Sequence, residues 1–339
     1  MTDKVKQLAP VIWSEIQKAK KILLHFHNGP DGDSIGSSLG LALALRNLGK
    51  DVTVIKGDSD LKLEYAFLPG FGSVISKNYF EIDISNHDLF LVLDSSSIDR
   101  ISDLAKISFP TTLRTVVIDH HNSNTMFAAI NLVDETYPAT AQLIYDLLKI
   151  WGVPITADVA ACLFTGIYTD TGGFQYEPSN WETFRIVGEL AKVYPAFGRD
   201  ISILENSNEP DKLFFRALAY DSIQILFGGR VALSAVSREQ LSGKKIDSRY
   251  ASISDISSGL RSVKGWDLDI AMLEKEGESC RVSLRTRDTT IFDLTKLAIA
   301  LGGGGHKASS GATIRLPFVE AKKVLLETIQ KVYPFLGRP

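Results

Sequence analysis

The chain alternates short apolar runs, several closed by an acidic or histidine-bearing turn, with stretches of helical periodicity. The run from Lys20 to Phe26 passes into the polar turn His27-Asn28-Gly29-Pro30-Asp31-Gly32-Asp33, and apolar positions at Leu39, Leu41, Leu43 and Leu45 then lead to a stop at Gly49. That pattern predicts a strand, a tight turn and a helix capped by Ser34, with Gly29, Pro30 and Gly32 fixing the path between them. Val52 to Ile55, Leu89 to Leu93, Arg114 to Ile118 and Ala128 to Val133 predict further strands. Val11 to Lys20, Ala139 to Ile150, Asp158 to Tyr168 and Trp181 to Val193 predict helices, with Tyr137-Pro138-Ala139-Thr140 as a turn and cap. Strands and helices at this spacing predict an α/β fold: a doubly wound, mainly parallel sheet covered on both faces.

From Tyr194 to about Asp221 the pattern is helical and mixed, and beyond it the texture changes. Arg230 to Val236, Leu268 to Leu273 and Cys280 to Leu284 predict strands separated by polar turns. A helix over Asp293 to Leu301 runs into Gly302-Gly303-Gly304-Gly305-His306, which reads as a glycine-rich loop. Thr313 to Leu316 predicts a last strand and Phe318 to Val332 a last helix. Three parts are therefore expected: an α/β domain over 1–193, a helical linker over 194–225 and a smaller α+β domain over 226–339.

Charge narrows the partners. With 37 basic and 40 acidic residues the net charge is −3, so the chain offers no general attraction to a nucleic-acid backbone. A polyanion must be held by a local patch or by metal ions, which excludes coating of long DNA and suits a small phosphate substrate. Cys162 and Cys280 lie far apart in apolar surroundings and read as buried thiols. Residues 1–10 have no apolar core of a signal peptide, and no run reaches the ~18 apolar residues of a membrane helix. A cytoplasmic protein with no membrane partner is expected.

The acids carry the chemistry. Asp94, Asp119-His120-His121 and the opening turn all follow apolar runs, and in a parallel sheet such strand ends lie side by side. Asp170 ends a helix beside Gly172-Gly173. Two like charges about 4 Å apart at an effective dielectric near 20 repel by ~4 kcal/mol, so Asp31, Asp33, Asp94 and Asp170 are either dispersed or hold cations. Hard oxygen donors with histidine suit manganese or magnesium better than zinc.

These residues resemble the ordered motifs of the DHH phosphoesterases: His27-x-x-Pro30-Asp31-x-Asp33, the acid after Leu93, Asp119-His120-His121 and Asp170-Thr171-Gly172. Gly302 to His306 with Gly311 resembles the signature of the DHHA1 domain that often follows, and Ser34 and Ser309 stand where the family often has alanine. The resemblance implies two Mn2+ ions, with Mg2+ as the alternative. His27, Asp31 and Asp94 would hold one; Asp33, Asp94, His120 and Asp170 would hold the other, with Asp94 bridging. His121 would face the substrate and Asp119 would orient a histidine. His25 shares a strand face with His27, and by its position it either packs or supports a ligand from behind. Arg285, Gly303, Gly304, Gly305 and His306 would bind the nucleotide in the cleft between the domains, with Arg287 and Lys307 nearby. Phe174, Tyr176 and Trp181 either stack a base or pack in the core, the core being the plainer role.

The stand-alone members of this family that it most resembles degrade short oligoribonucleotides (nanoRNA) to mononucleotides and dephosphorylate adenosine 3′,5′-bisphosphate (pAp) to AMP. The alternatives are a phosphodiesterase for cyclic di-AMP or linear pApA, a RecJ-like exonuclease, and a non-catalytic nucleotide-binding protein. A homodimer is left open.

Overall fold

The computed structural model describes residues 1–176, 178–206 and 208–337. Thr2 caps α1 (Asp3–Lys18), which starts well before the expected Val11 and carries Pro10 within it. Val5, Ala9, Ile12 and Ile16 are buried at helical spacing, and that packing outweighs the backbone bond proline removes. The chain continues through β1 (Lys21–His25), α2 (Gly32–Asn47), β2 (Asp51–Ile55), β3 (Leu89–Leu93), β4 (Arg114–Asp119) and β5 (Ile130–Val133). Helices α3 (Thr140–Ile150), α4 (Ala157–Asp170), α5 (Trp181–Val193) and α6 (Phe197–Asn206) complete the first compact unit, residues 1–207.

The five strands of this unit are all parallel, in the order β2-β1-β3-β4-β5. Because β2 and β3 pair on opposite sides of β1, the strand order reverses there. Ligands sit at the carboxyl ends of strands at such a reversal. Ile22, Leu24, Leu91 and Leu93 pack against the helices, whereas Leu23, Phe90, Val92 and Val117 face Tyr79, Ile101, Ile107 and Leu113. Both faces are thus covered, the second by short 3-10 turns and loops of the segment 79–113. Helices α2 and α4 approach closely. A Cβ on Gly36 would lie 2.4 Å from Cys162 O, and one on Gly166 would lie 2.8 Å from Asp33 Oδ1.

The second unit, residues 208–339, opens with α7 (Pro210–Asp221), β6 (Gln224–Leu226), β7 (Val231–Val236), α8 (Arg238–Gly243) and α9 (Ile253–Leu260). It continues with β8 (Leu268–Lys275), β9 (Ser279–Thr286), α10 (Leu294–Ala300), β10 (Gly304–His306), β11 (Ser309–Ile314) and α11 (Phe318–Val332). Its sheet runs β10-β11-β9-β8-β7-β6, antiparallel except for β7 with β8. One face packs on α10 and α11, the other on α7 and α9.

Segment 194–225 is shared between the units. Phe197, Ile201 and Leu204 of α6 pack on the first core, while Phe215 and Ala219 of α7 belong to a core of the second.

The glycine run departs from the sequence reading. Gly304 to His306 form a strand, paired Gly304 with Gly311, Gly305 with Ser310 and His306 with Ser309. The sequence gives no strand signal here because these residues lack β-branched side chains. Their smallness is what permits the pairing. A Cβ on Gly303 would meet Gly311 O at 2.1 Å, and one on Gly305 would meet Ser310 Cα at 2.6 Å.

Both cysteines are buried and free. Among the described residues no helix is long and apolar enough to cross a membrane.

Candidate metal centre and active site

After β1 the chain turns through Gly29, whose φ of +66° suits glycine, into α2. The cap of α2 is Asp31, not the expected Ser34, because the helix already begins at Gly32. Ser34 N donates to Asp31 Oδ1 at 3.0 Å, and the Ser34 hydroxyl accepts from His27 N at 3.2 Å. The other oxygen of Asp31, Oδ2, stands 3.8 Å from His27 Nε2. Ser59 pins the turn, accepting from Gly29 N at 2.6 Å and donating to Asn28 Oδ1 at 2.7 Å.

Asp94 follows β3 with φ +53°, a left-handed conformation that aspartate tolerates better than most residues, and it is 2% exposed. Its two oxygens look to different partners: Oδ2 lies 3.5 Å from His27 Nε2, and Oδ1 lies 3.6 Å from His120 Nε2. The structure therefore gathers His27, Asp31 and Asp94 into one group and Asp33, His120 and Asp170 into a second, each with ligand atoms within 4.8 Å of one another. Asp94 also groups with His120 and His121, so its carboxylate is common to both sides.

Helix α3 holds these carboxylates in place. Thr140 N donates to Asp33 Oδ2 at 2.6 Å and Ala141 N to Asp33 Oδ1 at 2.9 Å, while the Thr140 hydroxyl donates to Asp94 Oδ1 at 3.0 Å. Thr140 is fully buried; the sequence pattern gives it only as part of a turn and cap, but its amide and hydroxyl reach two carboxylates of the cluster. Its only sequence signal is a hydroxyl at the start of the helix after the fifth strand.

Asp119 is fully buried and accepts from His120 N at 2.9 Å, from the His121 ring at 2.8 Å and from Asn124 Nδ2 at 2.7 Å. It thus sets the geometry of both histidines. His120 Nδ1 lies 3.2 Å from Tyr137 O, which assigns the ring proton there. Among the described residues the buried Nε2 has no hydrogen-bond partner, and it faces Asp170 Oδ2 at 3.1 Å. A lone pair against a carboxylate needs a cation or a proton between them.

Burial would lower the His27 and His121 imidazoliums. For His27 the facing carboxylates of Asp31 and Asp94, and for His121 the bond to Asp119, outweigh burial and hold each at about 9. Burial would raise Asp31 and Asp94, but the facing His27 imidazolium holds both below the ordinary carboxylate range. Asp33 and Asp170 rise well above it, by burial first and then by the neighbouring Asp94 charge. His120 is held down, chiefly by burial. Metal-free, the cluster gathers protons to offset its crowded carboxylates. An oxygen and imidazole donor set with no thiolate fits hard divalent ions.

Residues 21–167 match the DHH family, N-terminal domain. Over 332 residues, 94% of this chain and 92% of the relative, the sequence is 30% identical to the bifunctional oligoribonuclease and PAP phosphatase NrnA of Thermus thermophilus. The chain belongs to the DHH family. It is therefore a metal-dependent hydrolase of phosphate esters. A second relative of this DHH protein is the bifunctional oligoribonuclease and PAP phosphatase NrnA of Bacillus subtilis, 24% identical over 318 residues, which are 91% of this chain and 95% of that one. The fold matches the crystal structure of an exopolyphosphatase-related protein from Bacteroides fragilis with a TM-score of 0.89, at 26% identity and 98% coverage of both chains.

In the second unit of this DHH protein, Arg285 lies on β9 and donates to Leu284 O at 2.9 Å. Arg285 and Gly303 to Gly305 line one concavity of about 640 Å³, together with Lys275, Arg281 and Arg315. His306 is exposed and outside that lining, because the hairpin turns there. Lys307 is exposed too, and Arg287 donates to the Arg261 carbonyl.

Among the aromatics, Trp181 is 70% and Tyr176 41% exposed, so the core role expected for them fails; only Phe174 is half-buried, against Tyr168 and Phe184. His25 packs as expected, edge-on to Phe90, with burial lowering its pKa to about 3.

Proposed function

We propose that this chain hydrolyses short oligoribonucleotides to mononucleotides and converts pAp to AMP, using two divalent ions, Mn2+ first and Mg2+ as substitute. The observation that carries the reading is the Asp94 carboxylate, whose oxygens face two separate ligand groups. The full-length relatives named as oligoribonuclease and PAP phosphatase support the choice of substrate. His27, Asp31 and Asp94 hold one ion; Asp33, Asp94, His120 and Asp170 hold the other. Ions so held supply a Lewis acid for the phosphoryl oxygens and a water of lowered pKa.

The protein's own groups do the rest. Thr140 and the α3 N-terminus fix Asp33 and Asp94, and Asp119 fixes the histidines. His121, held with Nδ1 on Asp119, turns Nε2 outward as the group that gives a proton to the departing oxygen. Arg285 and the backbone of Gly303 to Gly305 bind phosphate and nucleotide, and His306 caps the same substrate from the end of its strand. A chain with net charge −3 gives long polyanions no extra attraction, which favours short substrates.

A panel of pAp, labelled oligoribonucleotides from dinucleotide to decamer, pApA and cyclic di-AMP, run with Mn2+ and with Mg2+, tests this. The fastest turnover is expected on pAp and the shortest oligomers with Mn2+. Preferred cleavage of cyclic di-AMP, or a rate that rises with length, contradicts it.

A further inference from the structure

Arg100 closes a 3-10 turn, Ile98–Arg100, on the loop after β3. Its backbone ties two loops together: Arg100 N donates to Ser97 O at 3.1 Å, and Arg100 O accepts from Asn28 N at 2.8 Å. Its side chain lies against a candidate ligand, with Nη2 at 2.9 Å from His27 Nδ1 and 3.4 Å from His27 Nε2. Among the described residues no carboxylate forms an ion pair with this guanidinium, although Asp31 and Asp94 stand just across the same imidazole.

The chemistry of His27 decides what this contact means. Nε2 faces Asp94 and Asp31, so a ring that ligates a cation there keeps its remaining proton on Nδ1, donated to Asn28 O at 3.0 Å. In that tautomer Nδ1 is a donor, and it has nothing to offer the N–H groups of Arg100. The opposite tautomer would accept from Arg100, but its Nε2–H could not ligate, and Asn28 O would lose its donor. Arg100 therefore has no acceptor on His27 whenever His27 serves as a ligand. A half-buried guanidinium with five N–H donors is left at the edge of the acidic cluster without an anion of its own.

We propose that Arg100 is a catalytic residue whose guanidinium takes a non-bridging phosphoryl oxygen of the substrate and stabilises the charge that develops there. This rests on the phosphohydrolase reading above and adds one residue to it. A planar fork matches a phosphoryl group in two parallel bonds, which lysine cannot reproduce. The alternative is that Arg100 merely holds His27 in place, and the two differ in what the side chain's loss should do.

The test compares wild type with Arg100→Gln and Arg100→Lys, both of which keep the backbone bonds at Asn28 and Ser97. Three quantities are measured: Mn2+ affinity by calorimetry, AMP affinity of the Mn2+-loaded protein, and kcat and KM on pAp. Mn2+ affinity should stay within about 2-fold, while AMP affinity falls at least 10-fold and kcat about 10²-fold or more in Arg100→Gln, with partial recovery in Arg100→Lys. Unchanged AMP affinity and kcat overturn the proposal, and so does a loss of Mn2+ affinity as large as the loss of activity. If wild type fails to hydrolyse pAp, the substrate reading fails, and the AMP arm still decides the role of Arg100.

Discussion

The Thr140 hydroxyl donates to Asp94 Oδ1 at 3.0 Å while its backbone N–H donates to Asp33 Oδ2 at 2.6 Å, so one residue sets the angle of two carboxylates, one just after β3 and one in the first turn of α2. Thr140→Val keeps the shape and removes the hydroxyl. It should lower Mn2+ affinity by about 10–100-fold, the usual effect of losing such a support, and Thr140→Ser should restore it. Calorimetric titration of the folded variants checks this. Equal affinities in all three proteins would mean the hydroxyl only fills space.

Metal-free protein should lose stability as pH rises from about 6.5 to 9. His27 and His121 titrate near the ordinary 6.5 when unfolded and are held at about 9 when folded. Stability from such raised groups is complete below 6.5 and is lost as pH climbs through the folded value. The raised carboxyls of Asp33 and Asp170 act in the same direction, and the lowered His120 acts only below its ordinary 6.5. Urea midpoints across this range should fall for metal-free protein and change far less with Mn2+, which replaces the protons. A midpoint that rises with pH would contradict the protonated cluster.

Asp94→Asn should abolish hydrolysis while the fold survives, because the amide keeps the volume and loses the charge that two ligand groups share. Activity on pAp and near-ultraviolet circular dichroism report the two halves of this statement. Retained Mn2+-dependent turnover would remove Asp94 from its shared role.

In the second unit, Arg285→Gln and His306→Ala should both slow dinucleotide cleavage far more than cleavage of a small chromogenic phosphodiester, which has no second nucleotide to hold. Arg285 lies in the concavity and His306 is exposed beside it, so the arginine variant should be the more damaged. Equal losses on the two substrates would mean that neither residue grips the nucleotide.

What the sequence made legible follows from what a strand end is. Leu89 to Leu93 is a continuous apolar run and appears as β3 with those bounds, which puts Asp94 at the carboxyl edge with no further information needed. His27, Asp119 and His120 follow from the same rule, and Asp170 from the last turn of a helix. Thr140 was not legible in its function, since a hydroxyl at a helix start usually serves its own helix; here it reaches a carboxylate 46 residues away. Arg100 sits in a 3-10 turn of three residues, too short to show a period in the sequence. The strand at Gly304 escaped because pairing there depends on absent side chains, and the cap moved from Ser34 to Asp31 because both residue types cap equally well.

The most direct test of the two-ion account is an Mn2+ titration of metal-free protein followed by electron paramagnetic resonance and calorimetry. Two ions per chain with a spin-coupled spectrum are expected, and the coupling should vanish in Asp94→Asn. A single isolated ion, or no binding at all, would contradict it.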